Sequence, residues 1–262
     1  MKLHGTMNIE NQQLFIGGVS CQTLVNTYQT PLYVFDEALL RQNCKDYRKH
    51  FKVEERGNRV AYAGKAFLPL YMCHLIKEEG LYLDVVSGGE LYTAYKADFP
   101  MDHVLFHGNN KTFDEINMGL EYGVGVFVVD NYYELETLNT MCHKRGKQQN
   151  VYLRITPGIE AHTHDYIKTG QIDSKFGFTL SNGDLQRCLE VFHKYEHLNL
   201  IGLHAHIGSQ IFDVNPFLDE VEIMMTLVKD IKEQFGFEIT DVDLGGGVGV
   251  YYTEKDAPKS IA

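Results

Sequence analysis

The sequence lacks the features that mark several common classes of protein. It has no run of about 20 apolar residues, which a membrane-spanning helix needs, and its first residues lack the apolar core of a signal peptide. Its basic residues form no cluster, and 24 Lys and Arg stand against 35 Asp and Glu, for a formal net charge of −11. Such a chain repels phosphate backbones. These absences predict a cytoplasmic protein without a membrane or nucleic-acid partner.

Paired cysteines are missing as well. The 5 cysteines are odd in number, widely spaced and without a Cys-x-x-Cys pair; they are Cys21, Cys44, Cys73, Cys142 and Cys188. Neither a disulfide framework nor a thiolate zinc site is indicated. None of the five lies in a motif that supplies a base, which disfavours a catalytic cysteine. We expect reduced, mostly buried thiols.

The chain has ample apolar material for a core, with 44% hydrophobic residues. From about residue 57 to residue 245, short β-branched or aromatic runs alternate with longer stretches of helical periodicity, which predicts βα units and a parallel sheet. The predicted strands are Val60–Ala63, Leu81–Val86, His103–Phe106, Gly125–Val129, Val151–Ile155, Leu198–His206 and Ile239–Leu244. The predicted helices are Glu37–Phe51, Leu68–Glu79, Gly89–Lys96, Phe113–Tyr122, Tyr133–Lys144, Leu185–Tyr195 and Phe217–Gln234.

Seven such units at this length predict an α/β fold of the (β/α)₈ TIM-like barrel type, which takes about 250 residues. An open doubly wound sheet is the alternative. Tyr33–Phe35 is either an eighth strand or a link from a separate N-terminal piece. We expect residues 1–30 to form an N-terminal segment with a β segment near Phe15. Residues 31–262 would then form the barrel domain, incomplete at its C-terminal end because an eighth strand is missing there.

The first candidate for chemistry is Lys65, at the end of a predicted strand and between apolar neighbours. The carboxyl end of the strands carries the active site in barrels of this type. A lysine held against apolar surface has a lowered pKa and can form a Schiff base. The alternative is an ordinary lysine whose ammonium reaches water. A phosphate-binding P-loop is excluded, because Arg59 and Ala66 break its pattern.

The second candidate is the segment Gly202–Gln210, which follows another strand. His204 and His206 share one strand face, because side chains alternate with period two. Gly208 and Ser209 then offer backbone N–H groups and a hydroxyl that suit a phosphate. Three interpretations stay open for the histidines: a metal pair, core residues, or an aromatic surface for a flat ligand beside a phosphate.

The third candidate is Gly245–Gly247, directly after Asp243-Leu244. Consecutive glycines let backbone N–H groups approach an anion, although they also occur in simple turns. The run fails as a dinucleotide fingerprint, since Tyr252 stands where a glycine is required. A fourth candidate is the polar insertion 162–177, in which His162, His164 and Asp165 are possible metal ligands without a well-placed third partner.

Taken together, a lysine, a planar side chain beside a serine, and a glycine loop are what pyridoxal phosphate requires. They supply an amine for its aldehyde, a surface for its ring and donors for its phosphate. No metal is predicted for this set.

The sequence resembles the fold-type III pyridoxal-phosphate decarboxylases, which share an alanine racemase-like barrel. The matching segments occur in the family's order and are 30–35, 62–66, 83–91, 107–111, 174–177, 204–210 and 244–247. Within that family it is most similar to the enzymes that convert meso-2,6-diaminopimelate to L-lysine in lysine biosynthesis, and the insertion 162–177 favours diaminopimelate over ornithine. The resemblance implies pyridoxal 5′-phosphate as cofactor, an amino acid as substrate and a homodimer in the full-length form.

Carried over residue by residue, the resemblance assigns the cofactor site. It implies that Lys65 forms the Schiff base, that His206 stacks on the ring, and that Ser209 with Gly245, Gly246 and Gly247 holds the phosphate. The residues implied to line or support the cofactor are Asp84, Ser87, Arg154 and His204.

One departure from the family lies at the C-terminal end. The family continues with a strand that carries a Glu-Pro-Gly-Arg motif and with a C-terminal β domain, to which residues 1–30 would belong. Neither Glu-Pro nor Pro-Gly-Arg occurs in this chain. The sequence therefore resembles the N-terminal two thirds of these enzymes. The alternative functions are decarboxylation of another basic amino acid, such as ornithine or arginine, and a truncated, non-catalytic cofactor-binding fragment.

Overall fold

The computed structural model of the chain describes residues 2–51, 57–159 and 175–261. Its strands are β1 (Asn8–Glu10), β2 (Gln13–Ile16), β3 (Val19–Ser20), β4 (Ala61–Ala63), β5 (Tyr82–Val85), β6 (Val104–Phe106), β7 (Val126–Val129), β8 (Gln149–Thr156), β9 (Phe178–Thr179), β10 (Leu198–Ala205) and β11 (Asp241–Asp243). Its helices are α1 (Cys21–Tyr28), α2 (Glu37–His50), α3 (Leu70–Glu78), α4 (Gly88–Lys96), α5 (Phe113–Tyr122), α6 (Tyr132–Arg145), α7 (Asp184–Val191) and α8 (Asn215–Phe235).

The main sheet is parallel, and its order follows the chain. Strands β4, β5, β6, β7, β8, β10 and β11 lie side by side in that order, and the short strand β9 pairs with the end of β8. A doubly wound sheet would reverse direction at a switch point, and this path does not. All seven predicted strands are confirmed, as is the barrel-like order. The architecture is a half-barrel of seven strands.

Four of the helices around the sheet, α2, α4, α5 and α6, begin where the sequence supplies a capping side chain. Asp36, Ser87 and Asn131 each accept a hydrogen bond from a backbone N–H in the first turn of α2, α4 and α6. Thr112 forms a full capping box with Glu115 at the start of α5. The predicted helices are therefore confirmed, and most ends move by only one or two residues because the caps set them.

Strand alternation separates two apolar regions. Outward side chains, such as Leu83, Phe127 and Leu203, pack under the helices in the main core. Inward side chains form a second, smaller cluster, which consists of Leu105, Val126, Val128 and Tyr152 with Tyr82 and Ile201 packed against it. This second cluster fills the amino-terminal part of the barrel interior, as the side-chain layers of a TIM-like barrel do.

The sheet curls far enough to bring its first and last strands near each other. Arg59, just before β4, forms an ion pair with Asp241 at the start of β11. Strands β4 and β11 are nevertheless not paired with each other among the described residues. Tyr33–Phe35 forms no strand, and Tyr33 is 92% exposed. The interpretation of this segment as an eighth strand is wrong, because its backbone contributes nothing to the sheet.

The N-terminal residues form a separate element. Strands β1, β2 and β3 make a three-stranded antiparallel sheet, which α1 follows directly. The expected β segment near Phe15 is β2. Thr6 bonds through its backbone and its side chain to Asp36, the cap of α2, and so connects this element to the barrel domain.

All five cysteines are free thiols, and four are buried. Burial raises the pKa of the thiols of Cys44, Cys73, Cys142 and Cys188, which makes each a poor nucleophile. Among the described residues, no helix combines the length and the apolar character that a membrane crossing requires.

One buried acid stands out on α8. Glu220 is 0% exposed, and neither of its carboxylate oxygens has a hydrogen-bond partner. Burial, together with the charge of Asp243, raises the pKa of Glu220 to about 8. The folded protein therefore binds this proton more tightly than the unfolded chain does. The stability that Glu220 contributes is greatest below pH 4.5 and declines as the pH rises towards 8.

Replacing Glu220 with methionine should remove that decline. We expect E220M to raise the free energy of unfolding at pH 7 by on the order of 2–3 kcal/mol. The difference from wild type should grow between pH 5 and pH 8, measured by urea unfolding at several pH values. The control is E222Q, at an exposed acid on the same helix. An E220M gain that did not change with pH would contradict the assignment.

Candidate active site

The predicted site residues gather at the carboxyl ends of the parallel strands. Lys65 lies in the short 3₁₀ turn Gly64–Ala66 directly after β4 and is exposed. His206 directly follows β10, and the glycine run begins two residues after β11. The positive charge of Lys65 adds to burial in lowering the pKa of His206, and it opposes the rise that burial causes in the pKa of Asp84. Lysine, histidine and aspartate thus lie within electrostatic reach of one another.

The His206 ring is neutral and fixed. Burial is the first cause and Lys65 the second of a pKa lowered to about 3. The ring Nδ1 lies 3.4 Å from the backbone N–H of Gly246, which donates to it. An uncharged imidazole held in this way offers a flat aromatic surface at neutral pH. The group of possible ligand atoms that contains His204 is completed by His107 and Asp243 and does not include His206, which favours the stacking interpretation over a metal pair.

The glycine loop is shaped by close backbone contacts. Gly245 has φ +65, and a Cβ there would lie 2.6 Å from the carbonyl oxygen of Ala205. Gly247 has φ +108, and its Cβ would clash with the carbonyl oxygen of Gly208. Only glycine fits both positions. A Cβ on Gly246 would meet no atom within 4 Å, so this residue faces open space.

Ser209 belongs to the loop that packs against these glycines. Ile211 donates to the carbonyl of Gly247 at 2.9 Å, and Gly249 donates to Ile211 at 2.9 Å. The side chain of Gln210 bonds in both directions to the backbone of Val250. The two loops are therefore one unit, with Ser209 beside the glycine run.

A charged layer lies inside the barrel, on the same inward face as the site. His204 Nδ1 is 3.1 Å from Asp243, and the backbone N–H of Gly245 donates to the same carboxylate at 2.8 Å. Burial opposes ionisation of Asp243, but His204 and its hydrogen bond hold the pKa of Asp243 below the usual range. Asp243 therefore anchors a predicted site histidine and the glycine loop at once.

His107 completes this layer. Its ring meets that of His204 edge-on, with centroids 4.5 Å apart, and its Nε2 is 3.6 Å from Asp84. Burial, with the neighbouring His204, holds the pKa of His107 well below its ordinary value. Burial and the charge of Asp243 raise the pKa of Asp84 well above its ordinary value. Burial thus disfavours the charged form of both members of this pair.

Arg154 lies on β8, the strand beside β10. Its guanidinium lies 3.8 Å from Asp130 and 4.1 Å from the centre of the Phe176 ring. Burial lowers the pKa of Arg154 and raises that of Asp130. Asp84 Oδ1 and Asp130 Oδ1 are buried without a hydrogen-bond partner. Such atoms mark a polar space that a bound group can complete.

Ser87, unlike the other predicted site residues, is the N-cap of a helix. It caps α4, and its Oγ accepts a hydrogen bond from the Glu90 backbone N–H at 3.3 Å. Glu90 in turn accepts from the Val86 backbone N–H at 2.7 Å. The cap holds the end of β5, which carries Asp84, so Ser87 supports this part of the site through the backbone.

Sequence reasoning missed three interior residues: His107, Asp130 and Asp243. Each is a polar residue at or just beyond the end of an apolar strand, and that position was the available signal. His107, His204 and Asp243 also bring one ligand atom each within 4.8 Å of one another. The candidates His162, His164 and Asp165 lie outside the described residues.

The residues present fit a phosphorylated pyridoxal. A lysine stands at a strand end, a neutral ring lies beside it, and a glycine loop leaves space at Gly246. Residues 37–262 match the family model described as "Pyridoxal-dependent decarboxylase, pyridoxal binding domain".

The chain belongs to the pyridoxal-dependent decarboxylase family.

Named relatives agree with this assignment. The chain is 49% identical over 260 residues to diaminopimelate decarboxylase of Bacillus subtilis, covering 98% of this chain and 59% of the relative. The crystal structure of diaminopimelate decarboxylase from M. jannaschii superposes with a TM-score of 0.90 at 38% identity, over 98% of this chain and 60% of that chain. A second structure of that enzyme, in complex with L-lysine, gives a TM-score of 0.88 at 39% identity, over 95% of this chain and 58% of that one. The chain thus spans about 60% of the length of these relatives.

Proposed function

We propose that the chain is the cofactor-binding part of an enzyme that decarboxylates meso-2,6-diaminopimelate to L-lysine. The observation that carries the proposal is the convergence of Lys65, His206 and Gly245–Gly247 at one end of the barrel. Relatives named diaminopimelate decarboxylase, and a neighbouring structure that contains L-lysine, support the choice of substrate.

In this proposal the amine of Lys65 is the attachment point of pyridoxal 5′-phosphate, and the neutral His206 ring stacks on the pyridine. Ser209 and the backbone N–H groups of the glycine run hold the phosphate. Because Gly246 faces open space, a phosphate can approach the backbone there without meeting a side chain.

The bound cofactor would supply an aldehyde for the substrate amine and a conjugated ring that accepts the electron pair left on the substrate carbon when carbon dioxide leaves. The chain's own residues prepare that reaction. Asp84 lies close enough to Lys65 to interact with its charge, and burial together with Asp243 raises the pKa of Asp84. His204 stays in place because Asp243 binds it, and Arg154 keeps a positive charge near the site.

Residues 1–30 are proposed to belong with a C-terminal β domain, and residues 31–262 to form the barrel domain. The full-length protein is proposed to be a cytoplasmic homodimer. Five free thiols agree with a reducing compartment.

The substrate assignment is tested by measuring carbon dioxide and lysine released from meso-diaminopimelate, with ornithine and arginine as competitors. We expect turnover of diaminopimelate alone when the barrel is joined to the remaining part of the enzyme. Turnover of ornithine or arginine in its place would overturn the substrate and leave the cofactor site standing.

The phosphate position gives a prediction with a matched pair of variants. G246A should fold with a free energy of unfolding within about 0.5 kcal/mol of wild type, since its methyl group meets no atom. It should bind pyridoxal phosphate at least about tenfold more weakly, because the methyl group enters the phosphate's space. G247A should lose stability even without cofactor, because its methyl group clashes with the Gly208 backbone. Unfolding curves and cofactor titrations separate the two effects, and normal binding by G246A would place the phosphate elsewhere.

A further inference from the structure

Two histidines meet at the opposite end of the strands from the cofactor site. His143 lies in the last turn of α6, and His197 directly precedes β10. The Nδ1 atom of His143 is 2.9 Å from the Nε2 atom of His197, across 54 residues of sequence. The ring centroids are 4.9 Å apart and the planes are inclined by 66°.

His197 is held in place on three sides. Its backbone N–H donates to the side chain of Asn139 at 3.0 Å, and its carbonyl accepts from the Gln149 backbone N–H at 3.0 Å. Its ring Nδ1 is 3.3 Å from the carbonyl oxygen of Lys147. A carbonyl only accepts, so Nδ1 carries the proton and the lone pair of Nε2 points at His143.

The spacing suits a metal ion as well as a hydrogen bond. Zinc–imidazole bonds are about 2.0–2.1 Å long, so two ligand nitrogens lie about 3.3 Å apart at a tetrahedral angle and about 2.9 Å apart at a right angle. The present separation of 2.9 Å matches two ligands at a right angle, as in an octahedral or square-planar site. The Nδ1 lone pair of His143 becomes available when its ring proton moves to Nε2, with no net change in charge.

We propose that His143 and His197 chelate a divalent late transition-metal ion, for which Zn²⁺ is the reference. Imidazole nitrogen suits this class of cation, and water fills the remaining positions. The Lys147 carbonyl orients His197 as an outer partner of a metal ligand does. The carboxyl end of α6 adds a favourable dipole for a cation. The ion would join α6 to the start of β10.

The test titrates Zn²⁺ into the purified, untagged chain in its soluble form and into H143N, H197N and H193N. His193 is an exposed histidine outside the pair and serves as the control. Wild type and H193N should bind one more equivalent of Zn²⁺ than H143N or H197N. Zinc should also raise the unfolding temperature of wild type and H193N by more than that of the other two.

Cu²⁺ identifies the ligands directly. Its electron paramagnetic resonance spectrum should show two imidazole nitrogens in wild type and fewer in H143N and H197N. Equal zinc stoichiometry in all four proteins would overturn the proposal and leave the histidine pair as a hydrogen bond only. This outcome does not depend on decarboxylase activity, so it stands apart from the proposed function.

Discussion

Replacing Lys65 with alanine should abolish covalent attachment of pyridoxal phosphate. After borohydride reduction and peptide mapping, the pyridoxyl label should lie on the Lys65 peptide in wild type and be absent from K65A. Turnover in the extended enzyme should fall by at least about 10³-fold, because the proposal makes the Lys65 amine the attachment point of the cofactor. Free cofactor should still bind weakly through the glycine loop.

The matched control is K229A, at a lysine on α8 whose side chain is 71% exposed. It should keep the label and the full activity. A label on another lysine in the wild-type chain, or a label that persists in K65A, would contradict the assignment. Unchanged circular dichroism of K65A would show that the loss is chemical, since Lys65 is exposed and supports no packing.

The unpaired strand edges at the open side of the barrel should have an equally large effect on the association state and the turnover of the chain. Strands β4 and β11 each have one edge without a partner among the described residues, and the interior between them is not closed. Unpaired strand edges pair with other chains. We therefore expect the 262-residue chain to associate during sedimentation and to turn over diaminopimelate at less than about 1% of the extended enzyme's rate.

The comparison extends the chain by a strand that carries Glu-Pro-Gly-Arg and by a β domain. The extended protein should be monodisperse, because the new strand pairs with both edges, and its mass should be that of the homodimer proposed above. The added glutamate should supply the partner of the pyridine nitrogen. A short chain that was monodisperse and fully active would show that the described strands already provide what the reaction needs.

Most of the fold was predictable because periodicity and caps agree along the barrel. Buried β-branched runs such as Val126–Val129 fix strands, and side chains such as Asn131 fix helix starts. The role of Tyr33–Phe35 was not predictable, because a short apolar run after a proline looks the same as a strand or as a link. Tertiary pairing decides between them.

The site residues that lie in recognisable motifs were predictable from the sequence. The contacts between polar residues inside the barrel were harder to predict. Lys65, His206 and the glycine run stand in recognisable segments. Asp243 is inward because it lies two residues after Asp241 on the same strand face, a relation that the sequence does contain. The contact between His107 and His204 joins residues on different strands, and only the curvature of the sheet brings them together. Glu220 reads as a polar residue of an amphipathic helix until its burial is seen.

The sequential strand order also bears on how the chain acquires its structure during synthesis. Each new strand of the sheet adds beside one already made, so most pairings join segments close in sequence. Each parallel pairing must first close a crossover loop and is slower to form than a helix, but a growing chain can add the strands in order as it emerges from the ribosome. The Arg59–Asp241 ion pair is different, because it spans almost the whole sheet. It forms only after β11 has been made. It therefore marks the late step at which the sheet curves and its first and last strands come close together.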